Sequence, residues 1–234
     1  MSLRRIVSVA AVAATAIMLP ALPGGAAPTA TGCTPYPPSA GETLTIDASP
    51  RTVTAGQQVL LFGSFTNGGC PIRRAGIAIQ RRYLVNGVQH GRWITIGHAT
   101  TTSHGTYGST TNPVRNEALR AHFAPTGAFT GATSSAVNVF ARTSITESVS
   151  KLSSCRLSIS GGTTPRKVGR TVKIQKKTST GQHTVARATT NSRGRYHVTK
   201  TFACGTRLRL SALIAADSTN KAGRSGTVRV TPTR

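Results

Sequence analysis

A chain that hydrolyses its substrate with acids, or holds calcium, needs carboxylates close together, and this one has five: Glu42, Asp47, Glu117, Glu147 and Asp217. They are scattered over 234 residues, and no two stand at a spacing that suggests a pair. Glycosidic hydrolysis needs two neighbouring acids, one to give a proton and one to attack or to activate water. A calcium ion needs several oxygen ligands. Both chemistries are disfavoured. His90, His98, His122, His183 and His197 are dispersed through segments that read as strands and loops, where exposed positions are expected rather than ligands. There is no Gly-x-Ser-x-Gly elbow, no His-Glu-x-x-His helix, no Cys-x-x-Cys and no Cys/His cluster. No catalytic residue, metal site or cofactor is therefore expected.

The N-terminus carries the pattern of an export signal. Arg4 and Arg5 precede a run of 14 almost wholly apolar residues, 6–19, which Pro20 and Pro23 break before the small residues Gly24, Gly25, Ala26 and Ala27. This predicts a secretory signal peptide over residues 1–27, the end approximate. The run is short for a membrane span, which needs roughly 20 residues. No other segment approaches that length, so the mature chain is expected to be secreted, with retention at the cell wall left open.

What positions the remaining residues is an internal repeat. Ile77-Ala78-Ile79-Gln80-Arg81-Arg82 matches Val172-Lys173-Ile174-Gln175-Lys176-Lys177, and Ile96-Gly97-His98-Ala99-Thr100-Thr101 matches Val185-Ala186-Arg187-Ala188-Thr189-Thr190. Ser103-His104-Gly105-Thr106-Tyr107 matches Ser192-Arg193-Gly194-Arg195-Tyr196, and Ala136-Val137-Asn138-Val139 matches Thr227-Val228-Arg229-Val230. Order is preserved throughout. The chain thus reads as two copies of one domain, residues 33–141 and 142–234.

Each copy reads as short strands between turns. In the first these are residues 44–47, 58–64, 77–83, 93–100, 106–109, 119–124 and 136–140. About seven short strands per roughly 100 residues is the pattern of an immunoglobulin-like β-sandwich. Alternation in the second copy points Val172, Ile174, Tyr196 and Val198 inward, and Lys173, Gln175, Arg195 and His197 to water. Gly105 and Gly194 stand where a tight hairpin needs positive φ. The stretch Ser49-Pro50, Val53-Thr54-Ala55-Gly56-Gln57-Gln58-Val59 and Gly63, followed by the Trp93 strand and the Gly105-Thr106-Tyr107 turn, resembles the bacterial immunoglobulin-like repeats of secreted and cell-surface proteins. The resemblance implies a non-catalytic spacer, adhesion or wall-associated module. The second copy departs from it at Leu152-Ser153-Ser154-Cys155, so its first strand is the least defined. Ser103-His104-Gly105 also resembles the start of the L,D-transpeptidase motif, but Thr106 stands where that family needs its nucleophilic Cys. A hairpin turn is the expectation there.

Four cysteines in an exported chain imply disulfides, and four allow three pairings. The repeat selects one bridge per copy: Cys33–Cys70 and Cys155–Cys204.

Charge is the functional lead. Lys and Arg total 29 against five acids, a net of +24. Residues 33–141 carry eight Arg and three acids (+5), and residues 142–234 carry 19 Lys and Arg and two acids (+17). A sandwich does not need this imbalance, which opposes folding through self-repulsion. Lys173, Lys176, Lys177, Arg195, Arg207 and Arg209 are read as outward basic residues that would attract a polyanion, such as an anionic cell-wall polymer. No exposed aromatics interleave them to stack bases, so sequence-specific nucleic-acid recognition is not expected. The alternative is a spacer or adhesion module that meets a protein partner through a sheet edge or loops, and the remote one is a wall-modifying enzyme.

Overall fold

The computed structural model describes Cys33 and residues 41–234. The expected signal peptide lies outside the described residues. Within them, Val, Ile, Thr and Tyr alternate with polar residues, a period of two that only an extended chain can sort to opposite faces. Every regular element described is accordingly a strand. In the first half these are β1 (Glu42–Leu44), β2 (Asp47–Ser49), β3 (Thr52–Thr54), β4 (Val59–Asn67), β5 (Cys70–Pro71), β6 (Gly76–Val85), β7 (Val88–Thr100), β8 (Thr106–Thr111), β9 (Glu117–Phe123), β10 (Ala132–Thr133) and β11 (Val137–Arg142). The second half has β12 (Ser144–Ile145), β13 (Ser148–Lys151), β14 (Arg156–Thr164), β15 (Thr171–Thr178), β16 (Gly181–Thr189), β17 (Arg195–Thr201), β18 (Leu208–Ile214), β19 (Gly223–Arg224) and β20 (Val228–Val230).

Strand pairing repeats along with the sequence. In the first half, β4 is flanked by β1 and β2 on one side and by β8 on the other; the facing sheet runs β3-β11-β9-β6-β7. In the second, β14 lies between β12/β13 and β17, and the facing sheet runs β16-β15-β18 and on to β19 and β20. All pairs are antiparallel except β3 with β11. Two facing antiparallel sheets in this order make the fold all-β and immunoglobulin-like. The register shift between Ile79 and Gln80 recurs between Ile174 and Gln175, the equivalent residues.

Each half closes over its own apolar cluster. Leu61, Phe65, Ile77, Ile79 and Leu119 are fully buried in the first, with Phe123 4.7 Å from Phe65 between ring centroids. Leu157, Ile159, Ile174, Leu210 and Ile214 fill the second. Each such side chain contributes about 1.5–3 kcal/mol. A tyrosine then ties the sheets in both halves. Tyr107 Oη donates to the Thr45 carbonyl, and Tyr196 Oη to the Thr146 carbonyl at 2.7 Å. This close approach explains Gly63 and Gly161: a Cβ at either would meet the same carbonyl and lie 2.6 Å from the tyrosine Oη. Gly105 and Gly194 adopt φ of +70° and +71° in the hairpin turns.

Cys155 and Cys204 form a disulfide across 49 residues, a closure worth about 4 kcal/mol on the chain-entropy account. Cys33 and Cys70 are each disulfide-bonded as well.

Between the halves runs a seam built on residues 217–221. The Ser218 carbonyl accepts from Asn86 N–H, the Thr219 carbonyl accepts from Asn116 N–H at 2.8 Å, and Lys221 N–H donates to the Ala141 carbonyl at 3.0 Å. Asn220 Nδ2 donates to the carbonyls of Val114 and Ala141. One ion pair holds this loop in shape: Lys167 Nζ lies 2.6 Å from Asp217 Oδ2 and also donates to Thr219 Oγ1 and Asn220 Oδ1. Burial works to raise the Asp217 pKa, but the Lys167 hydrogen bond and the Thr219 N–H outweigh it and hold the carboxylate below its ordinary value. Asp217 Oδ1 meanwhile accepts from the backbone of Thr219 and Asn220, the turn that aims both residues. Lys167→Met is expected to leave Asp217 uncompensated and to cost about 3 kcal/mol, the lower end for a broken buried pair because Asp217 is not fully enclosed. Amide exchange should rise at Asn86 and Asn116 before it rises at Leu119 in the first core.

Candidate functional site

Strand parity decides which basic side chains share a surface. Core residues Val172 and Ile174 of β15 and Leu208, Leu210, Ala212 and Ile214 of β18 point inward. The residues between them form the outer face of the sheet. One row across it reads Arg187, Lys173, Leu213 and Arg224, directly paired through β16, β15, β18 and β19. Arg224 is held by a 3.0 Å hydrogen bond to Ser211 Oγ. Another row brings Lys177, one step past the Lys176–Leu210 pair, beside Arg209, which stands directly opposite Arg229 of β20.

At that end of the sheet the surface becomes a groove of about 940 Å³. Lys151, Lys177, Arg207, Arg209 and Arg229 line it, together with the core-side residues Val149, Leu208, Val228 and Val230. The disulfide supports the loop that carries Arg207. Cys155 N–H donates to the Thr233 carbonyl, the Cys155 carbonyl accepts from Phe202 N–H, and Gly205 N–H donates to the Pro232 carbonyl. Both the 202–207 loop and the last residues of the chain are thereby pinned to the start of β14.

The groove and face contain no carboxylate. Of the two acids in this half, Asp217 is taken by Lys167. Glu147 is half-buried, its pKa raised by burial, with its Oε2 accepting from Ser225 Oγ at 2.8 Å. The ion pairs among the described residues are Arg51–Asp47, Arg81–Glu117 and Lys167–Asp217, and none touches this surface.

The six basic residues singled out in the sequence do not all meet. Lys173, Lys177 and Arg209 share the outer face, and Arg207 joins them at the groove, just ahead of β18 rather than within a strand. Lys176 does not face outward: it pairs with fully buried Leu210, so its stem follows the core side and it is half-buried. Arg195 is exposed on β17, opposite Gly162 in the other sheet, and is remote from the face. Gln175, expected in water, keeps its outward parity opposite Ser211 but is covered, at 9% exposed. Sequence reasoning passed over Lys151, Arg187, Arg224 and Arg229. The alternation in Val185-Ala186-Arg187-Ala188 and Val228-Arg229-Val230 carried the signal for two of them; Lys151 and Arg224 depend on tertiary placement.

Other clusters hold less chemistry. His104 sits exposed in its turn, with Nδ1 3.3 Å from Ser103 Oγ. On β6, β7 and β9, Trp93 lies against two guanidinium groups, Arg120 at 4.3 Å and Arg82 at 5.0 Å from its ring centroid; Gln80 and Gln89 accept from these arginines. No group of three His, Cys, Asp or Glu among the described residues is placed to hold a metal. Glu117 is wholly buried, with Arg81 Nη1 3.8 Å away and no hydrogen-bond partner for either carboxylate oxygen.

No family model and no curated protein matches the chain. Among solved structures, it is similar to a tetra-tandem repeat from the extending region of a large adhesion protein, at 21% identity and a TM-score of 0.39, covering 82% of this chain and 49% of that one. It is also similar to the C-terminal 282-residue fragment of intimin solved with the intimin-binding domain of its translocated receptor (13% identity, TM-score 0.40, 81% of this chain and 64% of that one). A third is red sea bream transglutaminase, at 13% identity and a TM-score of 0.36, covering 82% of this chain and 31% of the enzyme. The chain thus spans about half the length of the adhesion-protein fragment and under a third of the transglutaminase.

Burial raises the Glu117 pKa from its ordinary 4.5 to about 7, with Arg81 opposing the shift. The folded state thus holds this proton more tightly than the unfolded chain. The stability it contributes is complete below about 4.5 and is lost as pH rises through about 7. Glu117→Gln should flatten the fall in melting temperature between pH 5 and pH 8 and make the variant the more stable protein at pH 8.

Proposed function

We propose that the chain is an exported, non-catalytic protein of two immunoglobulin-like domains, residues 33–141 and 142–234, behind a signal peptide at residues 1–27. The bridges assigned to them are Cys33–Cys70 and Cys155–Cys204, and the second domain attaches the protein electrostatically to anionic polymers outside the cell, cell-wall polymers first among them. The observation that carries this reading is the uncompensated basic surface. Eight exposed cations, Lys151, Lys173, Lys177, Arg187, Arg207, Arg209, Arg224 and Arg229, gather on one face and its groove without one carboxylate partner. A surface evolved only for solubility mixes signs, because like charges held together raise the free energy of the fold. A polyanion removes that cost and releases its counterions.

Adhesion to a protein is the second reading, and the β7 strand favours it. This strand is 13 residues long, ends its sheet, and leaves Val88 and Ile94 exposed. Its free edge offers N–H and C=O groups to an added strand.

Sedimentation with purified anionic wall polymer separates the two. Electrostatic attachment should weaken by roughly a hundredfold or more between 50 and 200 mM salt, in line with several released counterions. The isolated face variants Lys173→Gln and Arg187→Gln should each reduce the slope. Attachment insensitive to salt would favour the edge strand instead.

A further inference from the structure

The groove differs from the rest of the basic surface in a way that points to a particular ligand chemistry. Arg209 and Arg229 stand directly opposite one another on paired strands, where like charges are destabilising. Lys177 lies on the other side of Arg209, so three cations occupy neighbouring strands across about 10 Å, two strand spacings. Lys151 and Arg207 reach the same groove from different elements, β13 and the loop before β18. The loop is fastened by the disulfide and by the Gly205–Pro232 hydrogen bond, so this convergence is held in place rather than left to flexible side chains.

We propose that this groove is a subsite for the phosphate diesters of a linear polymer; the inference rests on the polyanion reading above and names its ligand. Donors that arrive from several directions suit a tetrahedral oxyanion. A planar carboxylate is best met by one in-plane guanidinium fork. Hydroxyls at Thr178, Ser179 and Thr231 border the groove and add neutral donors. The row Arg187–Lys173–Arg224 lies away from the groove on the open sheet and supplies attraction without selectivity.

The test compares the full mature chain with two double variants that each remove two charges: Arg209→Gln/Arg229→Gln in the groove and Lys173→Gln/Arg187→Gln on the open face. Three probes are titrated at low salt and matched charge: poly(glycerol phosphate), oligothymidylate and polygalacturonate. The expected result is that the parent binds both phosphodiesters about tenfold or more tighter than polygalacturonate, and that the groove variant loses this preference while the face variant keeps it. Tighter binding of poly(glycerol phosphate) than oligothymidylate assigns a wall polymer as the source, and the reverse order a nucleic acid; both support a phosphodiester subsite. Equal affinity for polygalacturonate, or equal losses in the two variants, overturns it and leaves general polyanion binding intact. No binding of any probe by the parent overturns both. The groove variant relieves a repulsive pair, so its melting temperature should not fall, and misfolding cannot imitate the expected loss.

Discussion

Lys167 and Asp217 carry more of this structure than their number suggests. Their ion pair sets the turn at 217–220, and the turn presents the carbonyls and the Asn220 side chain to which the first half hydrogen-bonds. Most of those contacts are made by main chain, so the seam depends on the shape of the loop rather than on its side chains. The pair also removes one of the two acids of the second half from the surface. Glu147, the other, is drawn inward to Ser225. Structural demand for carboxylates is thus met inside, and the outside is left positive.

The duplicated halves solve the same packing problem with the same devices. A tyrosine hydroxyl crosses to a carbonyl of the opening strand, a glycine makes room for it, and a serine stitches β9 or β18 to the segment that follows. Ala121 N–H donates to Ser134 Oγ in one half, and Ala212 N–H to Ser225 Oγ in the other. They differ in filling. The first core has the phenylalanine trio Phe65, Phe123 and Phe129. The buried residues of the second are aliphatic but for Tyr196, with Phe202 packed at their margin, and Cys155–Cys204 closes that half. That bridge also fastens the loop that carries Arg207 to the groove.

Much of the fold was legible because it depends on local periodicity. Alternation places Val172, Ile174 and Tyr196 inside, and the repeat aligned the turns at Gly105 and Gly194. What alternation could not show is cover. Gln175 keeps its outward parity opposite Ser211 yet is buried, and Lys176, read as outward for its charge, falls in step with Val172 and Ile174 on the core side. The candidate surface was only half legible for a related reason. Composition located the charge in the second half, but which cations meet is a matter of strand neighbours: Arg209 and Arg229 are 20 residues apart in sequence and directly opposed in the sheet. Arg195, close to them in any list of basic residues, belongs to the other sheet. The seam was not legible at all, since Asp217-Ser218-Thr219-Asn220 reads as an ordinary polar loop.

The opposed arginines have a thermodynamic corollary. Because the fold itself holds these like charges together, an anion bound as proposed would add to stability, and the unfolding endotherm of the second half would then gauge its occupancy. On the polyanion reading proposed above, such a module would be at its weakest when free in solution and would firm up as it settles onto its anchor.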